Sequence, residues 1–333
     1  MFLEICMILA GLALLIIFAD KFVEGAASIA HHHNVPIVVI GFIIVGLGTS
    51  LPEMFVAASS SLDGVPSLAV GNALGSNIAN IALILSVTAL ISPIAISQHS
   101  LKFQVPLLLG ATVIAGTVLH DGKLSFWEGF SLISAMSFVL FALSYVIPKL
   151  QANADAVQDI MNDSGLDIPE EFSQTSSWMN LILGGIFLFV GSKLLVTGST
   201  DVALEFGIEE SIIGLTIIAI GTSLPELSAS VAAAVKGKHD LIIGNVLGSN
   251  VFNTLMVLGI PGLLVPAQAL PDSIMSRDLP WMVGITLLLV GIGFFCYKRG
   301  TKLNRSWAML LGALFVTYMS ILAIDVLNTG AAA

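Results

Sequence analysis

The sequence predicts an all-α polytopic membrane protein, with ten transmembrane helices arranged as two inverted five-helix repeats. Composition, the number of apolar segments and an internal repeat together predict this fold class. Of the 333 residues, 56% are hydrophobic and 10% are charged, and the mean hydropathy is +0.98. A soluble domain carries about 25% charged residues. This chain has too few polar side chains to cover its surface in water, so we expect the lipid bilayer to surround it.

Ten apolar segments are long enough to cross a bilayer, which takes roughly 20 helical residues. The predicted spans are 2–24, 35–61, 66–91, 103–120, 126–148, 178–200, 211–235, 239–265, 279–297 and 306–326. The longest break between spans, 149–177, is acidic and separates five spans from five. The predicted organisation is a first five-helix repeat at 1–148, a linker at 149–177 and a second, inverted repeat at 178–328.

An internal repeat links the two halves. Residues Gly41 to Asn80 and Gly214 to Asn253 align at a constant offset of 173 residues, without a gap. Both contain Gly-Thr-Ser-Leu-Pro-Glu, followed by Gly-Asn-x-x-Gly-Ser-Asn. Because each half has an odd number of spans, the second copy enters the membrane from the opposite side. Inverted repeats are typical of secondary transporters, whose binding site lies near the midplane between the repeats.

The distribution of basic residues predicts the orientation. Loops on one side of the membrane carry nine Lys and Arg residues, and loops on the other side carry three. Basic loops face the cytoplasm, so we expect both termini outside and the 149–177 linker in the cytoplasm, in a cell (inner) membrane. The first apolar segment lacks the basic start and cleavage site of a signal peptide and is interpreted as a span. The net charge of −10, without a basic tract, argues against nucleic acid as a partner.

Two carboxylates, Glu53 and Glu226, lie in the middle of apolar segments. A charged side chain at mid-bilayer costs on the order of 3 kcal/mol. No Lys or Arg lies at equivalent depth, so each carboxylate needs a proton or a mobile cation as its partner. We therefore expect a cation site between the repeats.

The residues near the two glutamates offer only hard oxygen ligands, which favour Na+, Ca2+ or Mg2+ over zinc or copper. Pro52 and Pro225 predict a break in each helix that frees backbone carbonyls for the site. The hydroxyl and amide candidates are Thr49, Ser50, Ser76, Asn80, Thr222, Ser223, Ser249 and Asn253. Carbonyls are expected from the segments that include Gly46 and Ala219.

Other polar residues have a structural interpretation as well as a functional one. Small polar residues in membrane helices often serve packing, and both interpretations stay open for Asn72, Asn77, Asn245 and Asn250. The acidic linker is expected to be a solvated connection rather than a cation sensor, because it lacks EF-hand spacing. The run His31–His33 is expected to form an interfacial turn, and Cys6 and Cys296 to be packing residues.

The paired motifs resemble the two α-repeats of the cation/Ca2+ exchanger superfamily. The length and the short central loop are similar to those of its prokaryotic Na+/Ca2+ antiporters. The resemblance implies that the second, third, seventh and eighth helices enclose the ions while the first and sixth slide across them. It implies that Glu53 and Glu226 share Ca2+, with carbonyls from Thr49 and Thr222. It also assigns Na+ to Ser50, Ser76, Ser223 and Ser249 with the carbonyls of Gly46 and Ala219, and places Asn80 and Asn253 in the middle.

One departure from the family pattern bears on the transported ions. Several members have Asp where Asn253 stands, so this site has two formal negative charges, which balance one Ca2+ and argue against K+ co-transport. Ca2+ and Na+ are thus the expected substrates, with no cofactor, no enzymatic activity and one chain sufficient for transport. An H+/Ca2+ (or other divalent cation) exchanger remains the alternative. A cation channel is less expected, because pores are usually built from symmetric subunits or carboxylate rings.

Overall fold

The computed structural model describes residues 2–33, 37–62, 64, 66–152, 173–205, 219–266 and 268–330. This part of the chain forms twelve helices and two short strands. The first six helices are α1 (Phe2–His32), α2 (37–49), α3 (Leu51–Leu62), α4 (Pro66–Ile91), α5 (Ser100–Val118) and α6 (Phe126–Ala152). The others are α7 (Gln174–Glu205), α8 (Ala219–Thr222), α9 (Leu224–Val235), α10 (His239–Leu264), α11 (Ile274–Arg299) and α12 (Arg305–Gly330). The strands are β1 (Lys123–Leu124) and β2 (Gln268–Ala269).

Eight of the described helices are long and apolar enough to cross a membrane, and α2 and α3 make a ninth span if they are counted together. These two helices meet at an angle of 45°. The remaining predicted span, 211–235, is described only in part. Its last residues form the short apolar helix α9, and 211–218 lie outside the described residues. The helices are therefore compatible with ten spans.

Contacts between loops follow the predicted alternation of sides. β1 pairs with β2 in antiparallel fashion, which brings two loops predicted for the outer side together. At the opposite end, Ile94 forms a β-bridge with Leu303. Lys236 also lies at that end, with its Nζ 3.3 Å from Asp20 Oδ1 and 2.8 Å from Glu24 Oε1.

Several helices extend beyond the predicted spans. Helix α1 continues to His32 rather than ending at residue 24, so His31 and His32 are helical, and only His33 lies in a turn. Similarly, α6 ends at Ala152 and α7 begins at Gln174, so the described ends of the predicted linker are helical. The hydropathy pattern detects the apolar length of a helix, whereas hydrogen bonding continues into the polar interface. The linker carboxylates lie outside the described residues: Asp155, Asp159, Asp163, Asp167, Glu170 and Glu171.

Helices α1 and α7 lie side by side with very close backbones. A Cβ added at Gly25 would lie 2.5 Å from the backbone nitrogen of Leu181, and one added at Gly184 would lie 2.8 Å from Phe22 Cα. Small residues at such contacts are typical of membrane helix packing. Large apolar side chains on α1, such as Leu9 and Ile16, are exposed on the outer surface, as a bilayer requires.

Helices α4 and α10 lie at the centre of the bundle. Every residue of α10 from Asp240 to Asn253 is buried, including four polar side chains of the repeated motif. Each central helix contains a π-helical turn, at Asn80–Ile84 in α4 and Asn253–Val257 in α10. Single π-helical turns inside α-helices frequently mark functional sites. The two turns begin at equivalent asparagines of the repeat.

Candidate cation site

The repeated Pro-Glu motif lies at a helix break in both copies. Ser50 separates α2 from α3 with φ −83° and ψ 3°, and Ser223 separates α8 from α9 with φ −88° and ψ 7°. Glu53 and Glu226 therefore fall in the first turns of α3 and α9. The N-terminus of a helix favours negative charge. The break that the two prolines predict is thus present, and it places a carboxylate at the start of each new helix.

The two glutamates form one site rather than two. Both side chains are fully buried, with 0% exposure. Ser50 Oγ donates to Glu226 Oε1 at 3.4 Å, and Ser223 Oγ donates to Glu53 Oε1 at 3.5 Å. The serine preceding each carboxylate in sequence therefore contacts the carboxylate of the other repeat. This reciprocal pair of contacts brings four predicted site residues together.

One oxygen of each carboxylate has no partner in the described part of the protein. Among the described residues, Oε2 of Glu53 and Oε2 of Glu226 accept no hydrogen bond. In the same part of the chain, no Lys or Arg forms an ion pair with either glutamate. A buried, unpaired carboxylate is costly because it has lost its water. The pair is therefore chemically suited to hold a cation or protons.

The hydroxyls of Ser76 and Ser249 both lie at the site but have different partners. Ser76 Oγ donates to Glu53 Oε1 at 3.4 Å. Ser249, its equivalent in the second repeat, donates instead to the carbonyl oxygen of Gly46 at 3.4 Å and lies 3.3 Å from Thr49 Oγ1. The first repeat thus directs this serine at a carboxylate, and the second directs it at a backbone carbonyl.

The predicted carbonyl ligands lie in α2 and α8. Gly46 and Thr49 are in the last turn of α2, and Thr222 ends α8. Ala219 is the first residue of α8, and the residues just before it lie outside the described part of the chain. The carbonyl that Pro225 leaves without a helical partner is that of Gly221. It accepts a hydrogen bond from Ser192 Oγ at 2.6 Å, so α7 occupies this oxygen.

The two predicted middle residues, Asn80 and Asn253, are both fully buried. Asn80 Nδ2 donates to Asn250 Oδ1 at 3.0 Å, while Asn80 Oδ1 has no partner among the described residues. Neither amide atom of Asn253 has a partner within that part of the chain. Carboxylate, hydroxyl and amide oxygens are the hard ligands that Na+ and Ca2+ prefer.

Comparison with known proteins identifies the family. The sequence model described as "Sodium/calcium exchanger protein" matches residues 3–145 and 176–324. The chain belongs to the sodium/calcium exchanger family. It is thus a multi-pass membrane protein of a family of cation/Ca2+ exchangers.

Individual relatives cover nearly the whole exchanger chain. It is 40% identical over 315 residues to the "Putative antiporter CaxA" of Alkalimonas amylolytica, covering 95% of this chain and 97% of the relative. It is 29% identical over 348 residues to the "Sodium/calcium exchanger MaX1" of Methanosarcina acetivorans, covering 95% and 97%. A solved structure of the sodium-calcium exchanger NCX_Mj matches with a TM-score of 0.78 and 30% identity, covering 96% of this chain and 98% of that chain.

Asn245 contacts this exchanger's site, although the sequence left its role open. Its Nδ2 donates to the carbonyl oxygen of Glu226 at 3.2 Å and to Ser230 Oγ at 2.9 Å. Its Oδ1 accepts from Thr49 Oγ1 at 3.2 Å. The equivalent residue, Asn72, accepts from Thr222 Oγ1 at 3.3 Å. Recurrence of these asparagines in both motifs was the available signal, but residue type alone does not separate packing from ligand positioning.

A cavity of about 310 Å³ approaches this region from one end of the exchanger. Its lining includes Ser67 at the start of α4 and Ser273 just before α11. It also includes Gly75 in the middle of α4 and Ile220, two residues before Thr222. The cavity therefore extends from the end that carries β1 and β2 towards the depth of the site.

Proposed function

We propose that the chain is a secondary active antiporter that exchanges Na+ for Ca2+ by alternating access. The observation that carries the proposal is the reciprocal contact of Ser50 with Glu226 and of Ser223 with Glu53. It joins two buried carboxylates from opposite repeats into one site, and one oxygen of each has no partner among the described residues. The proposed ion ligands are Gly46, Thr49, Ser50, Glu53, Ser76, Asn80, Ala219, Thr222, Ser223, Glu226, Ser249 and Asn253.

Charge balance explains why the two ion fluxes would be coupled. Two carboxylates neutralise one Ca2+, or the charge of Na+ ions that occupy the same region. An empty site would leave two carboxylates facing one another in a medium of low dielectric constant, where their repulsion is strong. The rearrangement that changes access is therefore favourable only when the site is loaded. Competition for the same ligands, together with this requirement, produces exchange.

The amides at Asn80 and Asn253 limit the ion set. They add oxygen ligands without adding charge, so the formal charge of the site stays at two. A monovalent cation bound together with Ca2+ would have no compensating carboxylate there. This supports transport without K+.

The remaining features of the proposal follow from the charge distribution and the single-chain site. The exchanger lies in the cell (inner) membrane with both termini outside and the 149–177 linker in the cytoplasm, as the distribution of basic residues predicts. Because both repeats of one chain supply the ligands, a monomer surrounded by lipid suffices for transport. The protein needs no cofactor and is not an enzyme.

Proton coupling is the second candidate, and one observation favours it. Oε2 of each glutamate is buried without a partner in the described structure, so each can carry a proton in place of a metal ion. An H+/Ca2+ exchanger, or an exchanger of another divalent cation, would use the same site and fold.

Reconstituted vesicles distinguish these candidates. Proteoliposomes that contain the purified protein are loaded with Na+ and diluted into Na+-free medium containing Ca2+. Uptake of Ca2+ is then measured with equal pH on both sides of the vesicle membrane. A parallel sample has a pH gradient and no Na+ gradient. The proposal expects uptake driven by Na+ alone. Uptake driven only by the pH gradient would reject Na+ coupling, and uptake in neither sample would reject Ca2+ exchange.

A further inference from the structure

The orientation of the Asn80 amide is determined by a chain of hydrogen bonds. The chain starts at the backbone carbonyl of Asn77, which accepts from Asn250 Nδ2 at 3.3 Å. A carbonyl only accepts hydrogen bonds, so the amino group of Asn250 must face it. The carbonyl group of the Asn250 side chain is therefore the end that faces Asn80, at a distance of 3.0 Å from Asn80 Nδ2.

This arrangement fixes which atom Asn80 has free. Because Asn250 Oδ1 accepts only, Asn80 must direct its Nδ2 at it. The opposite end of the Asn80 amide is Oδ1, which is buried and has no partner among the described residues. A cation binds an amide through oxygen, and an amino group in that place would repel it. Asn250 thus presents Asn80 in the orientation that a cation requires.

The other repeat lacks this arrangement, for a reason visible in the sequence. The equivalent of Asn250 is Asn77, whose Nδ2 donates to Thr254 Oγ1 at 2.7 Å. The residue of the first repeat that corresponds to Thr254 is Ile81, which offers no hydroxyl. Because Thr254 supplies a hydroxyl in the second repeat, the Asn77 amide turns towards it. Neither amide atom of Asn253 then has a partner in the described structure.

We propose that Asn250 is a positioning residue for cation binding, which holds the Asn80 amide with its oxygen towards the ion, and that Asn77 has no such role for Asn253. The proposal rests on the proposed function, because it takes Asn80 as an ion ligand. It makes the two middle amides unequal: a hydrogen bond sets the orientation of Asn80, and none among the described residues sets that of Asn253.

The first test compares Asn250→Ala with Asn77→Ala, its matched control in the repeat. The half-saturating Ca2+ concentration and the maximal rate of uptake are measured in proteoliposomes, under whichever gradient drives the unaltered protein. We expect Asn250→Ala to raise the half-saturating concentration about fivefold, since a net hydrogen-bond contribution of about 1 kcal/mol corresponds to that ratio. Asn77→Ala keeps the backbone carbonyl of residue 77 that accepts from Asn250. It should change the half-saturating Ca2+ concentration by less than about twofold. Equal effects of the two variants would overturn the proposal.

A second test uses a side chain with two oxygens. In an Asn80→Asp background either orientation presents an oxygen, so Asn250→Ala should no longer raise the half-saturating Ca2+ concentration. The same fivefold increase in both backgrounds would show that Asn250 acts by another route. A failure of Na+ coupling would be seen in the unaltered protein, as Ca2+ uptake that a Na+ gradient does not drive. It would not change the ratio of half-saturating Ca2+ concentrations between a variant and the unaltered protein.

Discussion

Helices α4 and α10 each come after the Gly-Thr-Ser-Leu-Pro-Glu motif of their repeat. The same face of the two helices is exposed to different extents. On α4, Leu68 is 49% exposed, whereas its equivalent on α10, Leu241, is 1% exposed. The same contrast holds along each helix. Ser67, Gly71 and Gly75 are half-buried, whereas their equivalents Asp240, Gly244 and Gly248 are buried.

Among the described residues, α2 covers this face of α10, and most of the equivalent segment of the second repeat, 210–218, lies outside them. Helix α2 packs so closely on α10 that a Cβ added at Gly46 would lie 3.0 Å from the backbone nitrogen of Ser249. A Cβ added at Gly248 would collide with the carbonyl oxygen of Phe42. Against the corresponding face of α4 lies the cavity of about 310 Å³.

This difference shows that chemical symmetry and packing symmetry are separate properties of the molecule. The two copies supply nearly the same ligands, but among the described residues α2 covers the face of α10, whereas a cavity lies beside the corresponding face of α4. Transporters with inverted repeats alternate access by moving one part against another around a fixed site. In the described part of the chain, the difference between the α4 and α10 faces is of the kind that such a cycle uses.

The largest effect is expected at the carboxylates, where the two copies should behave alike. Glu53→Gln and Glu226→Gln should each lower Ca2+ uptake more than about 100-fold, because the remaining carboxylate cannot balance Ca2+ and a charged ligand contributes several kcal/mol in a buried site. Uptake is measured in proteoliposomes, with thermal unfolding as the control for folding. A variant that retains normal exchange would remove that glutamate from the site.

The glycines should show the difference in packing. Gly248→Ala introduces a methyl group against Phe42 and should destabilise the protein by about 1–3 kcal/mol, as overpacking does. Gly75→Ala is the matched control, because no described atom lies within 4 Å of the added Cβ. Alanine also favours helix over glycine by about 1 kcal/mol. Thermal unfolding in detergent measures both variants, and an equal loss of stability would mean that the α4 face is covered as the α10 face is.

The middle amides should respond differently to an added charge. Asn253→Asp places a third carboxylate where neither amide atom has a partner in the described structure, so the side chain can be replaced without breaking a hydrogen bond. Asn80→Asp breaks the donation to Asn250 and directs a carboxylate at its Oδ1. We therefore expect Asn253→Asp to be the better folded variant, with altered ion selectivity or a new sensitivity to K+. An unchanged ion profile in uptake assays would count against Asn253 as a middle ligand.

The smallest effect concerns the partners of the motif asparagines. Ser230 accepts a hydrogen bond from Asn245 Nδ2, whereas its equivalent is Ala57, and Asn72 Nδ2 has no partner among the described residues. Ser230→Ala should therefore cost about 1 kcal/mol in the free energy of unfolding. Ala57→Ser should leave stability unchanged or raise it slightly, by offering Asn72 an acceptor. The opposite order of the two stabilities would contradict this explanation of the asymmetry.

The sequence predicted the elements that depend on local residue type. The apolar segments, the inverted repeat, the breaks next to Pro52 and Pro225 and the grouping of loops by side all follow from composition and spacing. The extension of α1 to His32 was missed, because a polar helix end gives no hydropathy signal. The hydrogen-bond partners of the motif asparagines were also missed. Asn245 and Asn72 occupy the same position in the repeated motif, and only the residues packed around them in the fold differ. Packing asymmetry cannot be predicted from two copies that share their motif.

The most direct test of the central claim is the number of Ca2+ ions bound per chain, measured by calorimetric titration of the purified exchanger. Glu53 and Glu226 belong to one shared site in this account. We expect one Ca2+ per chain, displaced by Na+ in competition, and no measurable Ca2+ binding in either single Gln variant. Two Ca2+ ions per chain, with one retained in each variant, would show that the repeats hold independent sites and would contradict the account.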